Sequence, residues 1–540
     1  MDGGTASASI GIPATSWSRH TALALWCLVL FTFCLYLDTR HNRFPSCYHA
    51  AERGKARQIL TGARNLHHPL LLLTASRLGA ALPGVEWSIQ GVVEAGRWAS
   101  AVLASLAVVA FALTAFLHGG ALSAFAAGAL LAVCPPLLGH AHYLKEESAL
   151  IFGLSAFILA LSVFRRSRST AGLVLLGIGT ALACGGKYVG FVTLPIAVLM
   201  ILASCRRGVA PAGPSPWMPF LVSLFLSLAL INYSFFLQPG SLLGGLARES
   251  EHVIGEGRHP GRPFWSEIYV ESVWMQTTWP VLVLSGVYLA FVVRSWRRRS
   301  GAERVIALFP VGCFALLSLV PLKMPRYMLP VSVFLYLLAG MGTAELARLV
   351  PAGRVARAAA MIACLTLPVT LSAYRCADYL DDFHYDSRAR LEEWIRENLP
   401  PDAKIAQDRY VALPDSDARN QRGLNRTPLS QVIVTDRFAV DLGTPEVLQA
   451  NGFSYVATCA LSYGRFLMKG QIFPSEEKEG LFRQRLERYK QLFQQADLVW
   501  ESHRSDPMKE TWYSVTSHIP VNPVVRLYRL KAGPEPESPR

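Results

Sequence analysis

The chain has 540 residues, 52% of them hydrophobic, and a mean hydropathy of +0.30. That is too apolar for an ordinary soluble enzyme and too polar for a protein lying wholly in a membrane. The formal net charge is +14, but much of the excess sits in short turns between apolar stretches, where it sets topology; this argues against nucleic acid and for anionic or phosphorylated lipid as a partner.

Taken in order, residues 1–19 are rich in Ser, Thr and Gly and read as a disordered cytoplasmic segment leading into an uncleaved anchor. About eleven stretches are apolar enough to cross a hydrocarbon core: 20–37, 88–117, 120–139, 148–164, 171–185, 188–204, 218–237, 274–293, 304–321, 328–349 and 356–374. Arginines follow the even-numbered stretches: Arg165, Arg166 and Arg168, then Arg206 and Arg207, then Arg294 and Arg297 to Arg299, then Arg348, Arg354 and Arg357. This asymmetry puts those turns in the cytoplasm and leaves segments 38–87, 140–147 and 238–273, with everything after about 375, on the other side. The expected architecture is a polytopic all-α membrane domain over 20–375 and a small extracytoplasmic α/β domain over 376–540. In the latter, Ser387–Asn398, Pro445–Ala450 and 481–496 read as helices, and 431–434, 455–457 and 524–528 as strands. The ten cysteines show no metal-ligand spacing. Cys376 and Cys459 fall in polar segments and form a candidate disulfide.

The external segments hold the chemistry. The first carries Tyr48, His49, Glu52, Lys55, His67 and His68; the second carries His140, His142, Lys145, Glu146 and Glu147. The third carries Glu249, His252 and His259, and short turns add Lys187, Lys323, Arg326 and Tyr327. A charge near a membrane is costly, so a convergent set on one face signals a site. The bland alternatives are snorkelling at span ends for a single charge and structural hydrogen bonding for most of the histidines. Lys187, Lys323 and Arg326 suit a phosphate, since arginine can chelate its oxygens and lysine supplies a point charge. Glu52 and Glu147 are the carboxylates able to act as general base. No cofactor is demanded; a divalent metal on Glu147 and His142 is the candidate, carried by weak spacing.

Tyr48-His49-Ala50-Ala51-Glu52-Arg53-Gly54-Lys55, Asn65-Leu66-His67-His68-Pro69, His142-Tyr143-Leu144-Lys145-Glu146-Glu147, Gly186-Lys187-Tyr188 and Arg326-Tyr327-Met328-Leu329-Pro330 together resemble the loops of polyprenyl-phosphate-sugar-dependent GT-C membrane glycosyltransferases. These are glycosyltransferase family 39, with its protein O-mannosyltransferases, and the related aminoarabinose transferases. The family's first-loop pair is Asp-Glu, with the Asp regarded as the base. Here Ala51 stands at the Asp position and Glu52 remains. The resemblance implies an inverting glycosyltransferase of a bacterial-type inner membrane. It would move a sugar from a polyprenyl-phosphate donor to a hydroxyl of a glycan, lipid or protein acceptor on the outer face. Glu52 is then the first choice for base and Glu147 the second acid. Lys187, Lys323, Arg326 and Tyr327 would hold the donor phosphate, and Tyr48, His49, Lys55, His68, His142, Lys145 and His259 would line the substrate. Two other readings stay open: a degenerate relative that only binds the lipid-linked sugar, and a lipid or solute transporter, whose sites usually lie nearer the midplane.

Overall fold

The computed structural model of the protein describes residues 15–63, 68–206, 215–255, 267–320, 324–351, 353–414, 429–467, 475–509 and 521–531, with the single residues 427 and 473. The membrane part is built of helices α1 (Thr15–Thr39), α2 (Ala50–Thr61), α3 (Leu71–Ala80), α4 (Ile89–Ala132), α5 (Pro135–Ala141), α6 (Glu146–Ser167), α7 (Thr170–Gly186) and α8 (Thr193–Arg206). It continues through α9 (Trp217–Ile231), α10 (Tyr233–Leu237), α11 (Pro239–Gly255), α12 (Glu267–Gln276), α13 (Trp279–Arg294), α14 (Gly301–Ser318), α15 (Leu329–Arg348) and α16 (Arg354–His384).

Helix occupies most of each of the eleven apolar stretches among the described residues, with breaks at 133–134, 232 and 277–278, and the helix lengths differ. Among the described residues, seven helices are long and apolar enough to cross a membrane, and the pair α12–α13, bent by 105°, adds an eighth. The shorter apolar helices α7 and α9 fall below that length. Helix α4 supplies two of the expected stretches, because it breaks at Gly120, whose φ of 63° and ψ of −164° are non-helical. Only a residue without a side chain takes that conformation cheaply.

The bundle is held by close backbone approach as well as by apolar packing. A Cβ placed on Gly153 of α6 would lie 2.5 Å from the Ala183 Cα of α7. Such small-residue seams suit lipid, where apolar side chains gain nothing by leaving the acyl chains. Charge is sorted along α6, which opens with Glu146 and Glu147 and closes with Arg165 and Arg166, each complementing the helix dipole at its own end.

Helix α16 runs on to His384 and is followed at once by α17 (Ser387–Asn398), which opens the α/β domain. That domain has five strands, β1 (Lys404–Asp408), β2 (Val432–Asp436), β3 (Tyr455–Cys459), β4 (Asp497–Glu501) and β5 (Val525–Arg529). Their order is β2-β1-β3-β5-β4. Strand β1 is parallel to β2 and β3, while β5 is antiparallel to β3 and β4. Leu391 and Ile395 of α17 cover one face with Ile405, Val525 and Leu527. Tyr489 and Leu492 of the helix Glu476–Gln495 cover the other, against Val456 and Tyr528. Cys376 and Cys459 are both buried free thiols, so the candidate disulfide is not formed.

Candidate active site

Helix α2 and the turn before α6 are built into each other. His49 caps α2, its Nδ1 accepting from the Ala51 amide at 3.3 Å. Glu52 and Lys55, three residues apart, share one face of the helix. They grip Leu144 from both sides: the Leu144 amide donates to Glu52 Oε1 at 2.8 Å, and Lys55 Nζ donates to the Leu144 carbonyl at 3.2 Å. Lys55 also pairs with Glu146 at 2.7 Å. The next residue, Glu147, is thereby fixed at the first turn of α6.

Glu147 sits between two cations. Its Oε1 lies 3.2 Å from Lys187 Nζ and 3.9 Å from Arg326 Nε. Its buried Oε2, and the buried Nε of Arg326, have no hydrogen-bond partner among the described residues. Burial works against the Lys187 ammonium, but Glu147 outweighs it and holds the pKa above the ordinary lysine value. Tyr327 lies beneath both cations, its ring centroid 5.4 Å from Lys187 Nζ and 5.7 Å from the Arg326 guanidinium carbon. Together with His68 and Glu249, Glu147, Lys187 and Arg326 line a cavity of about 170 Å3 whose remaining wall is largely apolar, including Leu150, Val189, Leu317 and Leu329. A charged end against an apolar wall is the shape required by an anionic head on a hydrocarbon chain.

Lys145 is 9% exposed, and no hydrogen bond or ion pair holds its ammonium among the described residues. Burial, and then the positive charge of Arg326, push its pKa down to about 7. Burial likewise pushes His140 down to about 3. His49 is also lowered, by burial and then by Lys145 and Lys55. These histidines enter the site neutral.

Glu52 is not the available carboxylate expected of a base. It is fully buried, and Arg97 chelates it through Nε to Oε1 at 3.0 Å and Nη2 to Oε2 at 2.7 Å. With the Leu144 amide, both of its oxygens are occupied. Arg97 itself donates to the Asn42 and Phe44 carbonyls and lies 3.6 Å from the Phe44 ring centroid. Glu52 is therefore a keystone of the first external segment, and the neighbouring Ala51 is exposed with only a methyl to offer.

Other expected substrate contacts are also taken by the frame. Tyr48 is buried, its carbonyl accepting from Arg388 Nη1 at 2.9 Å and its ring 3.9 Å from that guanidinium carbon. His142 faces two carbonyls, Leu138 and Arg40, each at 2.8 Å, and stacks on Phe383. Lys55 is spent on Glu146 and Leu144. For a metal, no group of three His, Cys, Asp or Glu side chains converges among the described residues. Glu147 faces cations and His142 faces carbonyls, so the two expected ligands are not arranged around an ion. Lys323, His259 and His67 lie outside the described residues. Of the expected set, Glu147, Lys187, Arg326, Tyr327 and His68 come together.

The reading from sequence missed Arg97 and Arg388. An arginine well inside the apolar stretch 88–117 was the available signal, because such a charge needs a partner. Arg388 lies on the buried face of α17 with Leu391 and Ile395, one arginine among several in that helix.

The family described as dolichyl-phosphate-mannose-protein mannosyltransferase matches residues 83–242. No curated protein matches the sequence. Among solved structures, ArnT from Cupriavidus metallidurans bound to undecaprenyl phosphate is similar at 16% identity, covering 95% of this chain and 98% of that one with a TM-score of 0.50. The same protein in the apo state gives 0.49, with the same identity and coverage. AglB from Archaeoglobus fulgidus, in complex with an inhibitory peptide and a dolichol-phosphate, gives 0.45 at 12% identity over 81% of this chain and 69% of that one. With its apolar helices and its terminal α/β domain, the chain is a multi-pass membrane protein of the GT-C fold.

Proposed function

We propose that this protein is a glycosyltransferase that moves a sugar from a polyprenyl-phosphate donor to an acceptor hydroxyl. The observation carrying the reading is Glu147, wedged between Lys187 and Arg326 at the charged end of a cavity with an apolar wall. The donor phosphate binds Lys187 and Arg326, with Lys145 as a further cation, and the prenyl chain follows Leu150, Val189, Leu317 and Leu329. The acceptor hydroxyl attacks the anomeric carbon as the bond from that carbon to the phosphate oxygen breaks. Polyprenyl phosphate leaves with the electron pair, its charge met by the same cations. Glu147 takes the hydroxyl proton through Oε2, the oxygen without a partner among the described residues. The donor phosphate competes with Glu147 for its cations, which leaves the carboxylate freer to accept that proton. The catalytic face is extracytoplasmic in a bacterial-type inner membrane, and the acceptor is a glycan, lipid or protein.

A specific observation favours a second reading. Ala51 stands where the resemblance expects an Asp, and Glu52 is sealed by Arg97, which suits a relative that binds the lipid-linked sugar without transferring it. Incubating the purified protein with polyprenyl-phosphate sugars and candidate acceptors separates the two. Release of polyprenyl phosphate with labelled product supports the enzyme. Saturable donor binding with no release supports the binding protein, and neither binding nor release defeats both.

A further inference from the structure

The other end of α14 carries a second cationic hollow. Residues 295–300 join α13 to α14, and the segment from Phe291 to Arg299 encloses about 730 Å3, its lining including Phe291, Val293, Arg294, Trp296, Arg297 and Arg298. At about 1.5 Å per helical residue, α14 separates this hollow from Leu317 of the candidate active site by roughly 25 Å, close to the thickness of a hydrocarbon core.

The turn is held in place. Arg304 donates from Nε to the Trp296 carbonyl at 3.0 Å and from Nη2 to the Arg297 carbonyl at 3.4 Å, with its guanidinium 5.1 Å from the Trp296 ring. Arg299 is drawn inward onto Glu303 and Glu345, each at 3.0 Å. Arg294, Arg297 and Arg298 are left exposed, and no carboxylate pairs with them among the described residues. Topology alone would be served by arginines in any turn; it does not require a turn whose backbone is held so that three arginines line one hollow. Val293 at the rim is 72% exposed, and the outward sides of α13 and α14 continue it with Val283, Leu308 and Val311.

We propose that this hollow binds the headgroup of an anionic glycerophospholipid from the leaflet opposite the candidate active site. The phosphate sits on Arg294, Arg297 and Arg298, and the acyl chains lie along the apolar sides of α13 and α14. The site is independent of the donor cavity and of any transfer reaction.

The full-length protein in nanodiscs of phosphatidylcholine, with and without phosphatidylglycerol, tests this by native mass spectrometry of the retained lipid. Phosphatidylglycerol should be retained over phosphatidylcholine. The Arg294→Gln, Arg297→Gln, Arg298→Gln variant should bind it about 100-fold more weakly, the scale expected for three juxtamembrane arginines. Lys187→Ala, which alters the cavity at the other end of α14, should leave retention unchanged. Should the triple variant fail to fold, the unaltered protein still decides: retention must fall with rising ionic strength. Equal retention of the two lipids, salt-insensitive retention, loss in Lys187→Ala, or inorganic phosphate competing as well as the lipid would each overturn the proposal.

Discussion

Glu52 and Glu147 have opposite fates, and the difference lies in their partners. Glu52 is fully buried and meets an arginine and an amide, so both of its oxygens are engaged by the frame. Glu147 keeps Oε2 without a partner among the described residues. Glu147→Gln should therefore lower transfer by about 10²–10⁴-fold, the usual worth of a general base, and it should also cost stability, because Lys187 and Arg326 lose their counter-charge. Glu52→Gln should destabilise the protein by about 3–5 kcal/mol, because it leaves the Arg97 charge buried and unpaired. Loss of activity without loss of stability in Glu52→Gln would show that Glu52 acts in the chemistry. Lys145 makes a prediction in pH. Its folded pKa, about 7, lies below the ordinary lysine value, so its ammonium costs stability in full below about pH 7, and the cost vanishes as pH rises through the unfolded pKa. An anion needs that ammonium, so above about pH 7 binding must take up a proton. Affinity for a phosphodiester donor analogue, whose own charge is constant, should fall by at most tenfold per pH unit above about 7, and Lys145→Met should flatten the profile.

At the scale of elements, the first external segment is a clamp. Helix α2 fixes the turn 142–145 and so aims Glu147, while Arg388 of α17 ties the same segment to the α/β domain through Tyr48. Arg388 is itself buried and chelated by Asp386 at 2.6 and 2.7 Å. Removing it in Arg388→Ala leaves Asp386 uncompensated and should cost about 3–5 kcal/mol. Amide hydrogen exchange should then accelerate over residues 42–50 while the α6–α7 seam stays protected; unchanged exchange over 42–50 would mean the segment is held without the α/β domain. These couplings explain what could be read in advance. The apolar stretches were legible because hydropathy is local, and Glu147, Lys187, Arg326 and Tyr327 were legible because short turns on one face must converge. The pairing of Glu52 with an arginine 45 residues away leaves no local trace. Strand β1 escaped notice because Gln407 and Asp408, polar and yet fully buried, break the apolar run. Strand β4 escaped because it follows the helix Glu476–Gln495 with no turn residues to mark the change.

The whole molecule is polarised, and its orientation is the last quantity to predict. Glu147 opens α6 and Arg165 and Arg166 close it, about 27 Å apart at about 1.5 Å per residue, so one end of the bundle carries the cavity and the other the basic turns. Arg206 at the end of α8, the turn after α13 and Arg348 at the end of α15 lie at the basic end. Arg348 bonds there to the Gly119 carbonyl at the reversal of α4. The α/β domain lies at the cavity end, since Arg388 reaches Tyr48 and Phe383 stacks on His142. Basic turns remain on the cytoplasmic side during insertion, which predicts that both the cavity and the α/β domain lie outside. On the proposed function, a polyprenyl-phosphate sugar would then have to be presented at the outer leaflet, its headgroup carried across the membrane beforehand. An alkaline phosphatase fused after Arg540 should be active, and a fluorescent protein that matures only in the cytoplasm should stay dark at the same position. The reverse pair of signals would place Glu147 and Lys187 on the cytoplasmic side, where a soluble nucleotide sugar would become the natural donor and the lipid-phosphate reading would fall.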